Sequence, residues 1–116
     1  MDLYHCWCDL RPGQRDLAFV KAVNEWLGLL RDQGAIAGFR ITRRKLGLGP
    51  DGTGEFHLMI EVLDLAQLDR AFALAAARSG SAEILHHCVN HMVMNARFAL
   101  YRDFPDPVRV EGEERF

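Results

Sequence analysis

Residues 36–62, IAGFRITRRKLGLGPDGTGEFHLMIEV, carry two alternating patterns around a glycine-rich break. In Ile36 to Lys45, Phe39 and Ile41 fall on one side while Arg40, Thr42 and Arg44 fall on the other. In Glu55 to Val62, Phe56, Leu58, Ile60 and Val62 share a side, opposite His57, Met59 and Glu61. A period of two marks a strand buried on one face only. The intervening LGLGPDGTG at 46–54 holds four glycines and a Pro-Asp-Gly, so the two strands read as a hairpin.

Working outward, DLYHCWCDL at 2–10 is rich in aromatic and β-compatible residues and ends at the turn signal Arg11-Pro12-Gly13, which predicts a first strand. From Asp16 to Gln33, Phe19, Val20, Val23, Trp26, Leu27 and Leu30 recur at three- and four-residue steps. That spacing puts them on one face of a helix, with Asp16 as its N-cap and Gly34 as a left-handed stop. Asp64 and Gln67 form a capping-box pattern ahead of Leu65, Leu68 and Phe72, predicting a second helix that runs through an Ala-rich stretch to Arg78. Ser79-Gly80-Ser81 interrupts it. Ile84, Leu85, Cys88, Val89 and Met92 then mark one face of a third, shorter helix whose other side holds His86, His87, Asn90 and His91. Met94 to Phe104 alternates Phe98, Leu100 and Arg102 against Arg97, Ala99 and Tyr101, a last strand. Beyond Pro105-Asp106-Pro107 the chain turns polar, with Glu111, Glu113 and Glu114, as expected of a tail that is loose or pinned to a neighbour.

The order is β-α-β-β-α-(α)-β. It predicts an α+β, ferredoxin-like fold: a four-stranded antiparallel sheet, the third strand between the first and second, both main helices on one face and an extra short helix before the last strand. Residues 1–104 form one domain and 105–116 a polar tail on this reading.

Composition agrees with a single globular unit. The 116 residues are 49% apolar with a net charge of −2, which argues against nucleic-acid or anionic-membrane binding. Three cysteines cannot build a disulfide framework and fit a reducing compartment. Asp2, His5 and Asp9 stand where a signal peptide would need a basic start and an apolar run. The expectation is a cytoplasmic protein.

A sheet covered on one side needs polar groups or a partner on the other. With the most apolar alternation given to the helices, the uncovered face carries Arg40, Thr42, His57, Met59, Arg97, Ala99 and Tyr101. The first strand admits two orientations. Cys6 and Cys8 lie under the helices with His5 and Trp7 outward, or the reverse; the first is favoured because small residues let a helix approach closely.

RRKLGLGP at 43–50, GEFHLMIE at 54–61 and FALYRDFPDP at 98–107, in this element order, resemble a set of small bacterial proteins of unassigned function within the dimeric α/β-barrel group. The resemblance spans nearly the whole chain and implies a homodimer in which two sheets close into a barrel. The superfamily includes cofactor-independent monooxygenases, haem-degrading oxygenases, lactone isomerases and stress-induced proteins, so it implies no particular activity. The Asn, His and Trp catalytic set of the oxygenases does not map onto this chain.

Three motifs are weaker than they look. Gly47, Gly49 and Gly52 satisfy G-x-G-x-x-G, but Pro50 lies in the loop and a strand, not a helix, follows it, so a hairpin loop is the better reading. His87 and His91 have the i, i+4 spacing of a metal pair but lack a third ligand. Cys6 and Cys8 share a strand face without further partners.

The residues left for chemistry are His5, Trp7, Arg40, His57 and Tyr101. Two imidazoles on neighbouring strands can move protons, Arg40 can orient an anionic or carbonyl oxygen, and Trp7 and Tyr101 can wall a flat ligand. The first expectation is a homodimer that binds a small flat organic molecule with no metal or other cofactor, and whether it also transforms that molecule stays open. One alternative is a non-catalytic dimeric binding or stress-associated module; another is a haem or metal protein using His87 and His91. No nucleophile–base–orienter set marks the chain as an enzyme.

Overall fold

Strand alternation and helix periodicity lead to one sheet with all its helices on one side. The computed structural model, which describes residues 1–113, contains β1 (Asp2–Leu10), α1 (Asp16–Asp32), β2 (Gly38–Arg43), β3 (Phe56–Val62), α2 (Leu65–Ala75), α3 (Gly80–Asn90) and β4 (Val93–Arg102). The strands form one antiparallel sheet in the order β2-β3-β1-β4, as expected for the ferredoxin-like arrangement. Glu114, the last acidic residue of the expected tail, lies outside the described residues.

Local chemistry sets the element ends. Asp64 caps α2 by accepting from the Gln67 N–H at 2.8 Å, and the Gln67 carboxamide oxygen accepts from the Leu63 N–H at 2.7 Å. The Gln67 side-chain nitrogen also donates to the Gly34 carbonyl, so this buried polar residue is fully used. Gly34, at φ +72°, supplies the left-handed turn after α1. Several bounds differ from expectation. The N-cap of α1 is Arg15, and Asp16 instead begins the helix and holds Arg43 at 2.9 Å. β2 is shorter than 36–45, because Ile36 is drawn into the core before the strand starts and Lys45 only bridges Leu48 within the loop. α2 ends at Ala75 rather than Arg78, and α3 matches it in length.

The core lies between the sheet and α1. Phe19, Val23, Trp26, Leu27 and Leu30 meet Cys8, Phe56, Leu58 and Val62, and the Phe19 ring packs edge-on against Phe56 at 5.1 Å. α3 packs against α1 and α2, with His86 stacked on Trp26 at 4.9 Å. It does not cover β4, where Phe98 and Leu100 stay 59% and 51% exposed on the helix-facing side.

One end of the sheet is pinned by Asp9. Its carboxylate accepts from the Glu55 N–H at 2.9 Å and from the Asn95 carboxamide at 3.2 Å, where the β1–β4 register shifts and Asn95 adopts φ +56°. Asn tolerates that conformation better than most residues. Gly54 lies so close to β1 that a Cβ there would collide with the Cys8 backbone carbonyl, which cannot rotate away. Gly54→Ala therefore destabilises by about 3 kcal/mol or more, in excess of ordinary overpacking; Gly47→Ala, whose Cβ would meet open space, is limited to the smaller cost of its positive φ. Chemical denaturation of the two variants checks the difference.

Candidate functional site

Pairing register decides which side chains meet on the uncovered face. Trp7 stands opposite His57, which stands opposite Thr42; His5 stands opposite Met59, which stands opposite Arg40; and Leu3 stands opposite Tyr101 on β4. Cys6 and Cys8 thus take the helix side and His5 and Trp7 the open side, which resolves the orientation of β1.

His5 and His57 form a direct hydrogen bond, Nδ1 to Nε2, at 2.8 Å. Their planes differ by 14° and their centroids lie 5.1 Å apart, so the rings sit edge to edge in nearly one plane. Trp7 stacks parallel to His57 at 4.6 Å and lies 5.5 Å from His5, and Tyr101 presents an edge to His5 at 5.1 Å. The Thr42 hydroxyl donates to the His57 carbonyl at 2.9 Å, fixing the backbone beneath the ring. Four of the five expected residues therefore form one aromatic cluster. Arg40 shares the face but lies two strands from β1, about 10 Å away at ordinary strand spacing. Its guanidinium has no hydrogen-bond or ion-pair partner among the described residues.

The hydrogen bond constrains the protonation of the pair. A neutral imidazole carries one N–H, so whichever ring donates, one outer nitrogen of the pair bears a hydrogen and the other is bare. When the bare outer nitrogen takes up a proton, the inner proton crosses to the partner ring, the other outer nitrogen releases its own, and the roles reverse with no net change of charge. The pair is thus a donor and an acceptor joined by a proton path. Burial pushes His5 below its ordinary value of 6.5, and burial followed by the charge of His5 pushes His57 down. Both lowered values favour the neutral rings near pH 7, the state in which the pair keeps one bare outer nitrogen.

His87 and His91 behave differently. Their exposed rings stack at 5.5 Å, and His91 Nδ1 lies 3.0 Å from the His87 carbonyl, which its N–H can bond, at the end of α3. No group of three metal-ligating side chains occurs among the described residues.

The lowered imidazole values fix a pH dependence. The unfolded chain binds protons more readily than the folded one near pH 6.5, so the pair's contribution to stability is full above that pH and is lost as the pH falls through the folded values. Imidazole NMR titration gives midpoints below 6.5 for His5 and His57, and His57→Phe flattens the loss of thermal stability between pH 7 and 5.

The chain belongs to a family of unknown function, DUF6614, whose sequence profile spans residues 1–116. Among curated proteins none matches the sequence. Solved structures show the fold. An Arabidopsis thaliana protein, At3g17210, superposes with a TM-score of 0.69 at 9% identity, covering 95% of this chain and 100% of that one. A dimeric ferredoxin-like protein of unknown function from Jannaschia sp. CCS1 gives 0.60 at 15% identity, covering 89% and 100%. A dimeric protein of unknown function and ferredoxin-like fold from Bacteroides fragilis gives 0.53 at 12% identity, covering 88% and 96%.

Proposed function

We propose that this member of the family is a homodimer that binds a small flat organic molecule on the uncovered sheet face and exchanges protons with it through His5 and His57. The observation that carries the reading is the 2.8 Å bond between the two imidazoles. A bare nitrogen and an N–H joined by a proton path suit a ligand that must lose a proton at one atom and gain one at another, as in keto–enol interconversion. Trp7, stacked along the pair, offers a π-face to a planar ligand, and Tyr101 offers a second aromatic wall. The exposed Arg40 can take a carboxylate or carbonyl oxygen of the same molecule by forked donation.

Dimerisation is supported by what the single chain leaves uncovered. Phe98, Leu100, Tyr101 and Phe104 are each more than half exposed and cluster on or just after the edge strand β4. The radius of gyration is 16.0 Å, against roughly 13 Å for a compact domain of this length. Such an elongated chain with an apolar edge suits a second copy. Two of the similar structures are described as dimeric. A net charge of −2 sets little repulsion against the pairing.

Light scattering in solution gives twice 13.2 kDa; a 13.2 kDa particle at micromolar concentration overturns the dimer. A thermal-shift panel of quinones, flat aromatic acids and cyclic enones raises the melting temperature with at least one member. Saturation at a hundredfold excess over Kd corresponds to about 2.7 kcal/mol. The rise disappears in His57→Ala and Trp7→Ala, and Arg40→Ala removes it for anionic members only. A panel without effect, or equal rises in all three variants, overturns the site.

A further inference from the structure

The helix side of β1 borders a separate space. Because α3 leans on α1 and α2 and leaves Phe98 and Leu100 of β4 exposed, a cavity of about 300 Å³ remains between the three helices and strands β3, β1 and β4. Its floor is Cys6 and Cys8, its inner wall Trp26 and Leu30, and its roof the α2 residues Ala71 and Ala75. The Ala-rich run at 71–77 is the sequence signal for this space, since larger side chains there would fill it. The rim is aromatic: Tyr4 stands edge-on to Phe72 at 5.3 Å and stacks on Phe98 at 5.7 Å, and both phenylalanines are about half exposed.

We infer that this cavity is a binding site for a neutral, mainly apolar molecule the size of one or two rings, distinct from the face that carries His5 and His57. Three observations carry the assignment. The volume lies at the lower end of ordinary small-molecule sites, and apolar cavities half as large take up benzene rather than water. No Lys, Arg, Asp or Glu is among the lining residues, so a charged ligand would lose its hydration without compensation. Two hydrogen-bonding side chains, His86 and Asn90, lie one turn apart on α3 and border the space. The His86 ring is held in place by its stack on Trp26. They suit a single hydroxyl or carbonyl end on an otherwise apolar ligand. Cys6 and Cys8 complete the floor, and the contact between their thiols raises Cys8, with burial adding to it, while it lowers Cys6.

Of the two tryptophans, Trp26 borders this cavity and Trp7 lies on the other face, so the Trp7→Phe protein reports on the cavity alone. Titrated with 6-propionyl-2-dimethylaminonaphthalene, a neutral two-ring fluorophore with one carbonyl, that protein takes up one molecule per chain with saturable quenching of Trp26. Ala71→Leu and Ala75→Leu in the same background each weaken uptake at least tenfold while the circular dichroism of the fold is retained. Ala75, which is only half-buried, keeps the test open should Ala71→Leu fail to fold. Absence of saturable uptake, uptake that leaves Trp26 emission unchanged, or undiminished affinity in a folded filling variant overturns the site.

Discussion

The alternation of side chains along β1 is the constraint on which the rest depends. β1 is paired on both edges, with β3 on one side and β4 on the other, so its register cannot slip without breaking two ladders. Tyr4, Cys6 and Cys8 therefore face the helices while His5 and Trp7 face away. A shift of one residue would drive an indole and an imidazole into the space that two thiols occupy. Asp9 and Gly54 fix the end of that register: the carboxylate ties β1 to the start of β3 and to Asn95, and the absent Cβ lets the loop lie against the strand.

The same strand explains the electrostatics. Its charged residues are Asp2 and Asp9, at its two ends, and none lies between them. Among the described residues neither imidazole has a carboxylate partner, and burial lowers both. An Asp or Glu beside either ring would raise its value and favour the imidazolium, which still donates to its neutral partner but leaves both outer nitrogens of the pair carrying hydrogens and none bare. The bare outer nitrogen of the bonded pair and the lack of charge along β1 are in this sense one feature.

Much of this was legible in the sequence, and the parts that were not share a cause. Periodicity exposed the order of elements, the hairpin at 36–62, the α2 cap at Asp64 and the face shared by Arg40, Thr42 and His57, because those depend on spacing along the chain. The orientation of β1 stayed open, since Cys and Trp both suit a strand interior and only the packing of α1 decides between them. The hydrogen bond between His5 and His57 is diagonal: His57 stands opposite Trp7, not His5, and side-chain rotamers bring the rings together. The position of α3 was also invisible. Its apolar stripe marks one face but not what that face packs on; α3 rests on α1 and α2, and the cavity beneath follows from that placement.

Enclosing two histidines is ordinarily costly, because each ring brings a donor and an acceptor that water would otherwise satisfy. Bonded to each other, His5 and His57 satisfy one of each internally and leave one donor and one acceptor outward. Trp7 and Tyr101 cover ring surface without asking for hydrogen bonds, apart from their own N–H and O–H. A second copy closing over this face would therefore have to meet one donor and one acceptor at the imidazole pair, besides the charges of the exposed Arg40 and Arg97. An apolar partner surface cannot meet them, but a carbonyl compound with an acidic hydrogen beside the carbonyl matches the donor and the acceptor at once. The uncovered face joins a self-bonded imidazole pair to aromatic walls and exposed arginines, a mixture for which the proposed bound molecule, shared with the pair, gives a physical account.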